Sequence, residues 1–97
     1  MIHHIVLFSF KPGTPAGSIA AAGAALEQMP AQIPDIRWIR FGINQARGTS
    51  EYSHALIVGL DDMAAVDRYA GHPHHKAVIA EFLAPIRDAR LAVDVEV

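Results

Sequence analysis

Six segments in the order strand, helix, strand, strand, helix, strand predict an α+β domain with a four-stranded antiparallel sheet. Two observations carry that expectation. The strand-like segments alternate with period two between turn residues, and the two intervening stretches space their apolar residues as helices do. The ferredoxin-like βαββαβ arrangement matches this order and places both helices on one face of the sheet. In it, the first and third strands are expected to be central neighbours, here taken to run parallel. The 97 residues make one domain, residues 1–97, and a domain of this size buries only about two-thirds of its unfolded surface.

Ile2 to Phe10 opens as a strand with Ile2, His4, Val6, Phe8 and Phe10 on one face and His3, Ile5, Leu7 and Ser9 on the other. Both faces are mostly apolar, the mark of a strand covered on both sides. Two early histidines, with neither a positive leader nor a small-residue cleavage site, fit a strand better than a signal peptide. Lys11-Pro12-Gly13 turns the chain, Thr14 is the expected N-cap and Pro15 the first helical residue. The helix to about Met29 aligns Ile19, Ala22, Gly23, Leu26 and Met29 on one stripe, small enough for close packing on the sheet or for a ligand.

Pro30 and Pro34 bracket a loop before a second strand, Ile36 to Ile43, which holds Trp38. Gln45 to Glu51 is a polar hairpin connection. Tyr52 to Leu60 is the third strand, with Tyr52, His54, Leu56, Val58 and Leu60 on one face. Asp61 and Asp62 cap a helix through Ala70, and Gly71 is expected to end it in a left-handed cap. Pro73 restarts a helix that reaches Phe82 or Leu83 before Pro85, and Leu91 to Val97 is the last strand.

No apolar run approaches the roughly 18 residues of a membrane span. The absence of cysteine excludes disulfides, thiolate metal sites and cysteine nucleophiles, and fits a cytoplasmic protein. A net charge of −2 with eight scattered Lys and Arg argues against nucleic acid. The helices cover one sheet face, yet Ile5, Leu7, Ala55, Ile57, Leu91, Val93 and Val95 make the other apolar as well. A patch of that extent predicts a homodimer joined sheet to sheet.

The chemistry gathers around Tyr69-Ala70-Gly71-His72-Pro73-His74-His75. Tyr69 shares a helical face with Ala65 and Val66, and His75 with Val78 and Phe82, so both are expected to point inward. His4 and His54 each stand third in their strand on the helix-facing side, which makes them neighbours if the strands run parallel. Val6, Phe8 and Leu56 share that side, and His72 stands at the helix junction. An apolar cavity with a phenol and imidazoles suits proton transfer on a carbonyl compound. A helix N-terminus and burial both keep His75 neutral as a base, while Tyr69 donates to the oxygen where charge develops. The same residues also fit a structural role, with Tyr69 packed on the sheet, His72 capping, and His4 and His54 hydrogen-bonded in the core.

No metal site is expected, because His72, His74 and His75 splay apart and no carboxylate stands at a ligand spacing. Ser53 and His54 are strand neighbours pointing to opposite faces and make no triad. The glycines at 13, 17 and 23 lack the pattern of a phosphate loop. His74 and Lys76 read as solvated surface.

The opening Met1-Ile2-His3-His4-Ile5-Val6-Leu7-Phe8-Ser9-Phe10-Lys11, the Tyr52-Ser53-His54-Ala55 strand start and the His72-Pro73-x-His75 element together resemble the stress-responsive dimeric α/β-barrel (Dabb) family. The resemblance spans nearly the whole chain. It implies a ferredoxin-like subunit in a dimer closed into a barrel by packed sheets. Resemblance to the family's polyketide cyclases, of the olivetolic acid cyclase type, implies cofactor-free cyclase or lyase chemistry with Tyr69 and His75 catalytic and His4 and His54 in the pocket. The expected substrate-binding set is His4, His54, Val6, Phe8, Leu56 and His72, and the expected ligand a small carbonyl compound. The alternatives are a non-catalytic stress-response or ligand-binding protein, and a cofactor-free monooxygenase of the same architecture.

Overall fold

The computed structural model describes residues 1–48 and 51–97, so Thr49 and Ser50 of the expected hairpin lie outside the described residues. In chain order the elements are β1 (Ile2–Phe10), α1 (Ala16–Glu27), a 3-10 turn (Met29–Ala31), β2 (Trp38–Ile43), β3 (His54–Leu60), α2 (Met63–Gly71), α3 (Pro73–Val78), a π-helical turn (Ile79–Leu83) and β4 (Arg87–Glu96). The strands form one antiparallel sheet in the order β2-β3-β1-β4, as the ferredoxin-like expectation requires. Among the described residues, no helix is long and apolar enough to cross a membrane.

β1 is hydrogen-bonded on both flanks, which makes it a central strand. It runs antiparallel to β3, which corrects the expectation of a parallel pair. The reason is topological. The α1 crossover returns the chain so that β2 runs the same way as β1, and the hairpin then reverses β3, which inserts between them. His4 therefore lies opposite Val58, and His54 lies opposite Phe8 at the other end of the sheet.

Five local expectations also change. Pro15 occupies the cap position of α1 in an extended conformation, while the Thr14 hydroxyl donates to the Lys11 carbonyl at 2.6 Å. A residue before proline avoids helical angles, so Thr14 stays in the turn. The same rule acts at the α2–α3 junction. Gly71 is not left-handed; instead His72, held extended ahead of Pro73 at φ −65° and ψ 135°, closes α2 and opens α3. β2 begins at Trp38, because Ile36 still belongs to a turn through its amide bond to the Ile33 carbonyl. β3 begins at His54, and β4 begins at Arg87, four residues before Leu91.

Asp62 caps α2 as expected, its carboxylate accepting from the Ala65 amide at 2.8 Å. The core lies between helices and sheet, where Phe8, Leu26, Leu56, Val58, Tyr69 and Leu83 are all buried. Gly23 lets α1 approach closely, since a Cβ there would come within 2.6 Å of the Phe41 ring. On the opposite face Leu91, Val93 and Val95 of β4 remain 49%, 48% and 42% exposed, beside half-buried Ile5, Leu7, Ala55 and Ile57.

Candidate functional site

α2 leaves the end of β3 and lays Ala65, Val66 and Tyr69 onto the sheet, burying the tyrosine to 1% exposure. The bend at His72-Pro73 folds α3 back, so that the His75 ring stands 4.6 Å from the Tyr69 ring, centroid to centroid. On its other side Tyr69 meets the edge of His4 at 5.7 Å. These three rings border a chamber of about 250 Å³ whose floor is Val6, Phe8 and Leu56. Burial holds His75 below the usual imidazole range, with the Ala70 backbone acting in the opposite sense and His4, Arg90 and His72 adding to the depression. Burial also pushes the Tyr69 phenol far above its ordinary value, with Arg90 countering in part. The Nδ1 of His75 is buried without a hydrogen-bond partner among the described residues.

His4 is held from behind. Its Nδ1 lies 2.6 Å from Oδ1 of Asp94 on β4. An ionised carboxylate only accepts, so Nδ1 carries the hydrogen and Nε2 is the free nitrogen. Asp94 was missed in the sequence, as were Arg87 and Arg90, which stand at the chamber. The signal was available: with Leu91, Val93 and Val95 on the bare face, alternation sends Arg90, Ala92 and Asp94 to the helix face.

His54 and His72 do not join this group. His54 lines a separate open groove of about 730 Å³ between α1 and β2, with Ile19, Ala20 and Ala24 on the helix side and Phe41 on the sheet side. It stacks on Phe41 at 5.4 Å and meets the edge of Phe10 at 5.2 Å. Desolvation lowers its pKa, and its Nδ1 is satisfied by the Ser53 hydroxyl at 2.8 Å. Ser53 precedes β3 and escapes strand alternation, which corrects the expectation that the two side chains point apart. His72 serves as the cap of α3, its Nδ1 accepting from the His74 amide at 3.0 Å, and it is not part of the chamber wall.

Residues 2–97 match the stress-responsive A/B barrel domain, Dabb. The chain belongs to the Dabb family. An uncharacterised protein of Streptomyces coelicolor is 32% identical over 82 residues, covering 82% of this chain and 84% of its own. A dimeric protein of unknown function and ferredoxin-like fold, from Bacteroides fragilis, superposes with a TM-score of 0.82 at 33% identity, covering 99% of this chain and 95% of its own. The hydroxynitrile lyase of Passiflora edulis superposes with a TM-score of 0.85 at 15% identity, covering 97% of this chain and 90% of its own, a likeness of fold alone. In this Dabb chain the chamber offers a neutral imidazole, a protonated phenol and a carboxylate-backed imidazole around an apolar floor, which is equipment for proton transfer.

Proposed function

We propose that this Dabb protein is a cytoplasmic homodimer in which each protomer binds a small carbonyl compound in its chamber and moves a proton on it without a cofactor, in cyclase- or lyase-like chemistry. One observation carries the reading: Tyr69 and His75, their rings packed 4.6 Å apart, together line a cavity of about 250 Å³ with an apolar floor.

In this mechanism neutral His75 takes a proton from the carbon next to the carbonyl. The C–H electron pair becomes the C=C bond of an enolate, whose oxygen accepts a hydrogen bond from Tyr69. The high pKa of Tyr69 keeps the phenol in its donor form throughout. Attack of the enolate carbon on a second carbonyl closes a ring, and the reverse flow cleaves a C–C bond. At about 250 Å³ the chamber falls below the roughly 300–1,000 Å³ of drug-sized sites, which supports a small substrate over a long-tailed one. A hydroxynitrile lyase on the same fold supports the architecture as a host for such chemistry.

The test is solvent deuterium incorporation into small ketones and β-keto thioesters, followed by NMR. Wild-type protein is expected to exceed the buffer rate, with the excess lost in His75→Ala and in Tyr69→Phe while both stay folded. Undiminished exchange in both variants removes these residues from the mechanism.

The dimer rests on the exposed apolar row of β4 and on the dimeric state of structural neighbours. Val93→Asp is expected to leave a monomer in light scattering. A wild-type chain that is monomeric at tens of micromolar overturns the dimer.

A further inference from the structure

We propose that the chamber selects a carbonyl compound that also carries a carboxylate, docked on the guanidinium of Arg90 at the chamber rim with Arg87 beside it. This rests on the proton-transfer reading above and names its substrate class. The chamber borders on two arginines and on no carboxylate side chain. Two other arginines of the sheet and helix layer are neutralised in pairs, Arg37 at 2.6 Å from Asp61 and Arg68 at 2.9 Å from Asp35. Among the described residues Arg87 and Arg90 form no ion pair, not even with Asp88 between them, and Asp94 on the same strand is committed to His4.

Position supports the assignment as much as charge does. Arg90 lies opposite Phe8 and Asp94 opposite His4, with Ala92 opposite Val6 between them. The four steps from Arg90 to Asp94 span about 13 Å at roughly 3.3 Å per residue. A carboxylate at Arg90 therefore leaves room for a linker of only a few bonds before a carbonyl meets Tyr69. The field of Arg90 reaches both Tyr69 and His75, so a bound anion at this rim is coupled to the proton-transfer pair. Arginine's planar fork suits a carboxylate better than a point charge would. The α1–β2 groove makes the contrast, since its charged lining group is Glu27.

The dimer is titrated with acetoacetate, with methyl acetoacetate and with inorganic phosphate, by ligand-observed NMR, in wild type, Arg90→Gln and His75→Ala. Wild type is expected to bind the acid about tenfold or more tighter than the neutral ester or phosphate. Arg90→Gln is expected to erase that preference with an unchanged circular dichroism spectrum and dimer mass. His75→Ala is expected to keep it. Equal affinity for acid and ester in wild type, phosphate bound as tightly as the acid, undiminished preference in Arg90→Gln, or no binding of acetoacetate overturns the assignment, and the first comparison needs no variant. An Arg90-dependent acid preference without any proton exchange leaves the anion site standing and removes the proton-transfer reading instead.

Discussion

The chamber under α2–α3 and the groove between α1 and β2 open on the same face of the sheet, and each presents a histidine held below its ordinary pKa by burial. In the groove, His54 has its Nδ1 bonded to Ser53 and one ring face stacked on Phe41. In the chamber, His75 keeps Nδ1 unpaired against a phenol. Desolvation alone therefore does not mark a reactive imidazole. What separates the two is an unmet hydrogen bond beside a second proton-bearing group.

The largest expected effect breaks this asymmetry at its source. His75→Ala is expected to lower the proton-exchange rate by about 10²–10⁴, the usual worth of a positioned acid or base. His54→Ala is expected to cost less than about tenfold, because it removes a wall of the groove and no reacting group. Parallel rate measurements on the two variants decide the matter, and equal losses would merge the two hollows into one site. A second contrast is mechanical. Gly23→Leu pushes a side chain into the Phe41 ring and into the groove, with an expected destabilisation of about 1–3 kcal/mol in urea unfolding. The chamber's exchange rate is expected to survive it, since α1 does not border that cavity.

Why the chamber's centre was legible in the sequence, and its edges were not, follows from sequence distance. Tyr69 and His75 are six residues apart across a proline bend, so local helical geometry brings them together with little help from the rest of the fold. His4 and His54 are strand residues, and their separation depends on strand direction. The alternation that placed both on the helix face is blind to whether they stand side by side or at opposite ends. Asp94 and Arg90 were lost for another reason. Arg87-Asp88-Ala89-Arg90 carries no β-branched or aromatic residue, so propensity starts the strand at Leu91, whereas pairing with β1 extends it to Arg87. Tertiary hydrogen bonding overrode local preference there. Gly71 shows the converse, where the proline two residues on decided the junction and the glycine's freedom went unused.

Titration sharpens the comparison in a way that substitution alone does not. His54 and His75 both have folded pKa values below the ordinary 6.5, so near and below that pH the unfolded chain binds more protons than the native one. Stability is therefore expected to be full above about pH 6.5 and to fall as pH drops through the folded values. Urea midpoints measured from pH 8 to pH 5 check this, and the decline is expected to be shallower in His54→Ala and in His75→Ala. Activity separates the pair. The exchange rate is expected to have one acid limb, below about pH 6.5, that His54→Ala leaves in place. No alkaline limb is expected before about pH 10, because burial keeps the Tyr69 proton bound beyond its ordinary range.

The smallest expected effect tests whether the groove histidine is as satisfied as its geometry implies. Ser53 is exposed, and its 2.8 Å bond to His54 competes with water. Ser53→Ala is therefore expected to cost no more than about 0.5–1.5 kcal/mol of stability, with water replacing the lost hydroxyl. It should leave the exchange rate unchanged. The same loss of a partner at a dry position would be costlier, because nothing could take its place. If Ser53→Ala instead lowered the exchange rate as His75→Ala does, the Ser53–His54 pair would be acting on the substrate. Proton transfer would then belong to the α1 side of the sheet, and the unpaired nitrogen of His75 would be a packing cost without a chemical use.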